Sequence, residues 1–285
     1  MLTASFRYNG DMSELDTREL VQTKHPHLPR IFAVLIAIVV FTTWLFSTPH
    51  GMLGKADAVG YALCHRIDLR SFQLGTRQLP LCARCSGMYL GVLVGLGFYI
   101  TRRTKAGCYP SRGVNAVLFL FGVFWAIDGL NSYVHLIPMA SGIYTPSNAL
   151  RLITGTLIGI SLSTMVYPAF SQFAWKDVKD EPVIHSLAEL GKLLLFAAIL
   201  VVLVLSENPL ILYPFALATS LAVFVILTLV YTSVILVISR KENQAAGWRD
   251  LITPILLGLT MAVIQIGIID WIRFTLTGTW DGFHV

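Results

Sequence analysis

Charge is what this sequence has least of. Only 13% of its 285 residues are Asp, Glu, Lys or Arg, while 55% are hydrophobic. That is too little polar surface for a water-soluble domain of this length. Cysteine is also scarce: four in the whole chain exclude a disulfide-built scaffold. There is no His-Glu-x-x-His, no phosphate-cradling Gly-rich loop and no serine-hydrolase elbow, which removes several common enzyme classes. The net charge of +5 does not indicate nucleic acid, because the basic residues lie between apolar runs in the pattern that orients membrane helices.

What is present is a series of long apolar runs. Crossing a bilayer takes about 20 mostly apolar residues. By that measure the sequence predicts an all-α, polytopic transmembrane helical bundle of about seven spans: Ile31–Phe46, Gly87–Ile100, Val114–Leu136, Leu150–Pro168, Leu187–Leu205, Leu212–Ile238 and Leu251–Phe274. The second run is short and is expected to extend back through Cys85 or forward to Arg103. The sixth is long enough to require tilt, with Pro214 marking a break near its start. Residues 1–30 read as a loosely ordered cytoplasmic tail. Residues 31–170 read as a membrane domain with a signature loop at 48–86, and 171–285 as C-terminal membrane helices. Gly87, Gly91 and Gly95 recur every fourth residue, as do Gly155, Gly159 and Ser163, which predicts closely packed helix faces.

The distribution of Lys and Arg predicts the orientation. One side collects Arg7, Arg18, Lys24, Arg30, Arg102, Arg103, Lys105, Arg112, Lys176, Lys179, Lys192, Arg240, Lys241 and Arg249. The expected arrangement is a multi-pass cell-membrane protein, amino terminus cytoplasmic and carboxyl terminus outside. The signature loop then lies on the extracytoplasmic face despite Lys55, Arg66, Arg70, Arg77 and Arg84. Either these are retained for a ligand, or a loop of this length is translocated whatever its charge.

That loop holds the densest chemistry in the chain: Cys64-His65, then Cys82-Ala83-Arg84-Cys85. A Cys-x-x-Cys knuckle presents two sulfurs to one side, as zinc requires. Cys64 is a third candidate metal ligand, and His65, His50 or His135 a fourth. The competing chemistry is redox, with a Cys82–Cys85 disulfide exchanging with Cys64 and arginines lowering a thiol pKa, a layout comparable to membrane thiol oxidases that use quinones. Haem attachment is excluded, since the motif needs His where Ser86 stands. Cys108 reads as an ordinary free thiol.

Polar residues elsewhere fall at the same depth. Asp128, Asn131 and His135 share one face of the third span, and Asn148 with Arg151 and Asp270 with Arg273 are each three apart at outer helix ends. A carboxylate inside a span costs on the order of 2.5 kcal/mol or more, so Asp128 and Asp270 are expected to face the bundle interior with partners. Structurally, Asp128 would pair with Arg151 and Asp270 with Arg273. Functionally, Asp128, Asn131 and Arg151 are candidate catalytic residues, and Arg66, Arg70, Arg84 and Asn148 candidate contacts to an anionic substrate. Trp44, Trp125 and Trp271 read as interfacial or packing aromatics.

The run Cys64-His65-Arg66, Arg70-Ser71-Phe72, Gly75 and Leu79-Pro80-Leu81-Cys82-Ala83-Arg84-Cys85-Ser86-Gly87-Met88-Tyr89-Leu90-Gly91 resembles the signature of an uncharacterised family of prokaryotic multi-span membrane proteins, a domain of unknown function. Asp128-Gly129 with Asn131, and Asn148 with Arg151, Thr154 and Gly155, are similar to that family's second block. The resemblance runs from about Tyr61 to Gly159. It implies a membrane location and attention to these residues, and no activity.

The resulting expectation is an outer-face pocket centred on zinc or thiols that takes an anionic small-molecule or lipid-linked substrate among membrane lipid. Two alternatives stay open. One is a non-enzymatic subunit of a membrane complex, or a transporter, with a stapled loop; the other is a thiol-disulfide oxidoreductase.

Overall fold

The computed structural model describes residues 28–102, 105–137 and 141–283, the side chains of 28 and 29 excepted. The expected tail, with Arg7, Arg18 and Lys24, and the residue Arg103 lie outside the described residues. Seven of the helices are long and apolar enough to cross a membrane. They are α1 (Leu28–Ser47), α3 (Ala83–Arg102), α4 (Arg112–Val134), α5 (Asn148–Ala174), α6 (Leu187–Leu205), α7 (Pro209–Ile238) and α8 (Trp248–Thr277). Each coincides with one of the apolar runs read from the sequence, with α3 extended in both directions and α4 ending at Val134, two residues short of the expected Leu136. The protein is therefore a multi-pass helical membrane protein.

One further helix, α2 (Met52–Leu63), lies inside the signature loop, where the sequence reading places no helix. Its small residues are buried, and Gly60 lies so close to the Pro80 carbonyl that any Cβ there would collide with it. Pro214 does not break α7. It stands early in the helix, where a missing N–H costs a single bond near the helix end.

The organising contact is a seam between α3 and α5. A Cβ on Gly87 would strike the Leu152 carbonyl, one on Gly91 the Thr156 carbonyl, and one on Gly159 the Met88 carbonyl. Backbone therefore meets backbone along the two glycine repeats, the close approach their spacing predicts. Around the seam, α4 packs on α5, α7 packs on α3, α5 and α8, and α1 lies against α8. A short antiparallel pair, β1 (Gln73–Leu74) with β2 (Arg77–Gln78), folds the loop back toward α3. At the far end of α3, β3 (Ala106–Cys108) runs parallel to β4 (Lys179–Pro182). Cys108 there is not a solitary thiol: its Sγ donates to Asp180 Oδ1 at 2.9 Å, which pushes the thiol pKa up.

Candidate functional site

The site begins where two helix ends meet. Cys64 is the C-cap residue of α2, with extended backbone (φ −129°, ψ 147°) that turns the chain out of the helix. Cys82 immediately precedes α3, and Cys85 lies in its first turn. The positive end of the α3 dipole therefore points at the sulfurs, an arrangement that favours a thiolate. The three Sγ atoms lie within 4.8 Å of one another, and no disulfide links them. Cys82 N–H points at Cys64 Sγ at 3.4 Å. Hydrogen bonds from Cys82, then from Cys85, hold the Cys64 thiol well below the usual range. The Cys82 thiol, kept protonated by its hydrogen bond to Cys64, is pushed up to about 12.

His65 stands beside this group without joining it. Its Nδ1 is 3.8 Å from Cys64 Sγ, and its buried Nε2 has no hydrogen-bond partner. The thiols alone form the compact ligand set among the described residues. His50 and His135 are not in it, and His135 Nε2 instead lies 2.9 Å from the Tyr144 carbonyl oxygen.

Arg84, between the two knuckle cysteines, turns away from the sulfurs toward α4. Its Nε donates to Asp128 Oδ2 at 2.9 Å and its Nη2 to the Ser132 hydroxyl at 2.9 Å. Nη2 also bonds Asp128 through a carboxylate oxygen and, at 3.0 Å, through the carbonyl. The Tyr144 hydroxyl donates to the other carboxylate oxygen at 2.9 Å, and burial followed by that bond raises the Tyr144 pKa. The ion-pair partner of Asp128 is thus Arg84 and not Arg151. The reason is local: the long Arg84 side chain reaches from the first turn of α3 to Asp128 on α4, and Arg151 is turned instead to its own i−3 neighbour, Asn148, with Nη1 2.9 Å from Oδ1.

Asn131 serves as a latch. Its Nδ2 donates to the Tyr144 carbonyl at 2.8 Å and its Oδ1 accepts from Ile143 N–H at 2.7 Å, which fixes the segment carrying Tyr144. Arg70 is buried and donates to the Ser132 carbonyl at 2.8 Å. Burial, then the neighbouring Arg84, lowers its pKa. Arg151 is also buried, within electrostatic reach of Arg70, Arg84, Asp128 and Cys82, and its Nε has no partner. Three guanidinium groups thus gather in the site, and of the three it is Arg84 that is bonded to Asp128. Arg66 belongs to a different group, bonded to Asp57 at 3.0 Å and to the Trp280 carbonyl at 3.1 Å. Its positive φ of 52° is an uncommon backbone state for a side chain of this size.

The carboxyl-terminal end completes the enclosure, a role for these residues that nothing in the linear pattern announces. Arg273 does not pair with Asp270; its Nη1 donates to the carbonyls of Tyr61 and, at 2.8 Å, Cys64. Its guanidinium lies 4.0 Å from the Tyr61 ring centroid and 4.5 Å from that of Phe283. Phe283 N–H in turn donates to the His65 carbonyl at 3.0 Å. Ser132, which accepts from Arg84 and Arg70, and Thr154, which donates to Asp128 at 3.4 Å, are further residues of the site not singled out from the sequence as contacts. Ser132 could have been found from its i+4 spacing to Asp128 on one helix face, while Tyr144, on a loop, carries no such periodic signal.

Residues 64–165 match the family described as "Predicted membrane protein (DUF2085)". The "Uncharacterized protein MJ1492" of Methanocaldococcus jannaschii is 28% identical over 159 residues, spanning 51% of this chain and 96% of its own length. No solved structure matches the chain. The matched stretch holds all three clustered thiols, Arg70, Arg84, Asp128 and Arg151, and ends within α5. That part of the molecule is similar to an uncharacterised family of membrane proteins.

Proposed function

We propose that the protein carries, on the extracytoplasmic face, a zinc-type thiolate centre on Cys64, Cys82 and Cys85, beside an arginine site for the anionic head group of a small or lipid-linked molecule. The observation that carries this reading is the convergence of three free thiols within 4.8 Å. Sulfurs bound tetrahedrally to zinc at about 2.3 Å stand about 3.8 Å apart, a spacing this group reaches by small side-chain adjustments. Three protein ligands with a fourth position left for His65 or for an exogenous group is a familiar zinc arrangement. Arg70 and Arg151 retain donors suited to phosphate or carboxylate, and Asn148 orients Arg151. Asp128, saturated by Arg84 and Tyr144, acts here as a positioning residue, and Asn131 holds the segment that supplies Tyr144.

Elemental analysis of purified protein, paired with thiol counting with and without reductant, tests this. The expected result is about one zinc per chain, with three thiols protected from alkylation until a chelator is added. Cys82→Ser is expected to lose the metal. Metal-free protein whose cysteines react only after reduction overturns the reading. The hydrogen bonds from two thiols to Cys64 would then support a dithiol exchange centre instead. Metal-free protein whose three clustered thiols react without reductant would overturn both the metal and the disulfide centre.

A further inference from the structure

A second acidic residue sits outside the network just described, in different company. Asp270 is 3% exposed, and neither of its carboxylate oxygens has a hydrogen-bond partner. It lines a cavity of about 520 Å³ between α1 and α8, together with Thr43, Trp44, Trp271, Phe274 and Trp280. The Trp44 indole interacts with the carboxylate without closing a hydrogen bond of good geometry, and its Nε1 is also unpartnered. Arg273 acts on Asp270 only through space, because its guanidinium is bonded to carbonyls of the signature loop.

Leaving a buried carboxylate without donors is costly, and more so at membrane depth. The cavity wall around this one is aromatic, and rings together with a carboxylate are what recognises an organic cation: the faces attract the charge, and the carboxylate bonds its N–H groups. Depth selects further. Asp270 lies seven residues before the end of α8 at Thr277, or about 10 Å along the axis, so a cationic head there sits just beneath the interface. The deeper wall, Val39, Val40, Val263, Ile264 and Gly267, is apolar and follows α1 and α8, with Ser47 and Thr48 at the end of α1. The volume falls within the roughly 300–1,000 Å³ common for small-molecule sites.

We infer that the α1–α8 cavity binds an amphiphilic primary amine, with its ammonium group on Asp270 between the tryptophans and its apolar tail along α1 and α8. An amine within a phospholipid head group is disfavoured, since the adjoining phosphodiester would bring negative charge to the same carboxylate. This site is independent of the thiol centre.

The test uses full-length protein in phosphatidylcholine nanodiscs, with tryptophan fluorescence as the readout. Dodecylammonium, dodecanol and dodecanoate are titrated in parallel, so that the tail is constant and only the head varies. Saturable dodecylammonium binding at least about tenfold tighter than dodecanol, with dodecanoate weaker still, is the expected outcome. Asp270→Asn should remove that preference while dodecanol binding persists, and Arg151→Ala should leave it intact. The comparison of head groups on the unaltered protein stands even if the Asp270 variant does not fold. Equal binding of amine and alcohol overturns the inference, as does an amine preference that survives in Asp270→Asn. Loss of the amine preference when phosphatidylethanolamine replaces phosphatidylcholine would assign the site to the lipid and overturn the free-amine occupant.

Discussion

Asp128 and Asp270 occupy nearly matching positions in different helices, the first six residues from the end of α4 and the second seven from the end of α8. Both are buried, at 1% and 3% exposure. Asp128 is met by Arg84, Tyr144 and Thr154, whereas Asp270 has no hydrogen-bond partner for either oxygen. An identical residue in a similar helical setting is thus a structural rivet in one place and a vacancy in the other. The difference lies in which helices surround it. Asp128 is enclosed by α3, the first turns of α5 and the 141–147 segment, which lie within the stretch that matches the family, while Asp270 faces α1 across an apolar gap.

That contrast breaks most visibly at Arg84. Arg84→Ala leaves Asp128 buried without its cation and is expected to cost about 3–5 kcal/mol, read as a drop in thermal unfolding temperature in detergent. A loss below about 1 kcal/mol would place Asp128 with Asp270 as a tolerated charge. Next in size, Gly91→Leu forces apart α3 and α5 and is expected to cost about 1–3 kcal/mol, checked by the same unfolding measurement and by reduced protection of Cys85 from alkylation. Tyr144→Phe removes one donor to a charged acceptor, worth about 1.5 kcal/mol. The pKa of Tyr144 is raised in the folded state, so the proton is held more tightly there than in the unfolded chain. Its contribution is complete below the ordinary tyrosine pKa of about 10 and is lost as pH rises through the raised value. The stability difference between the unaltered protein and Tyr144→Phe should therefore shrink above about pH 10. Smallest of all, Asp270→Asn should change stability by less than about 1 kcal/mol, since no ion pair is lost. A fall as large as that of Arg84→Ala would show a partner for Asp270 and dissolve the comparison.

Much of this was readable in the residues themselves. Spans follow from length and hydropathy, and the α3–α5 seam follows from glycines four apart, because both signals are periodic and local. Cys64, Cys82 and Cys85 were legible as a group because the knuckle fixes two sulfurs by spacing alone. Partner choice was not legible. Arg84 reads as an electrostatic aid to its flanking thiols, yet a side chain one position from Cys85 in a helix points about 100° away from it, toward Asp128. Arg273 reads as the partner of Asp270 by i+3 spacing, yet two carbonyls at the turn after α2 compete for it and win. Helix α2 was hidden by its length of 12 residues, below what a membrane span needs, and by a pattern of small residues that carries little hydropathy. Tyr144 and the 277–283 segment enter through loops, where no period exists to be read.

The α3–α5 seam has a mechanical consequence. Where side chains separate two helices, a rotamer change can absorb a small slide; where carbonyl meets α-carbon, it cannot. The pair therefore behaves as one strut that carries the knuckle cysteines at its tip, and the sulfurs of Cys82 and Cys85 keep a fixed place relative to Arg151. Any strain within the thiol cluster is then taken up at Cys64, which lies outside the strut and whose carbonyl is held by Arg273 of α8.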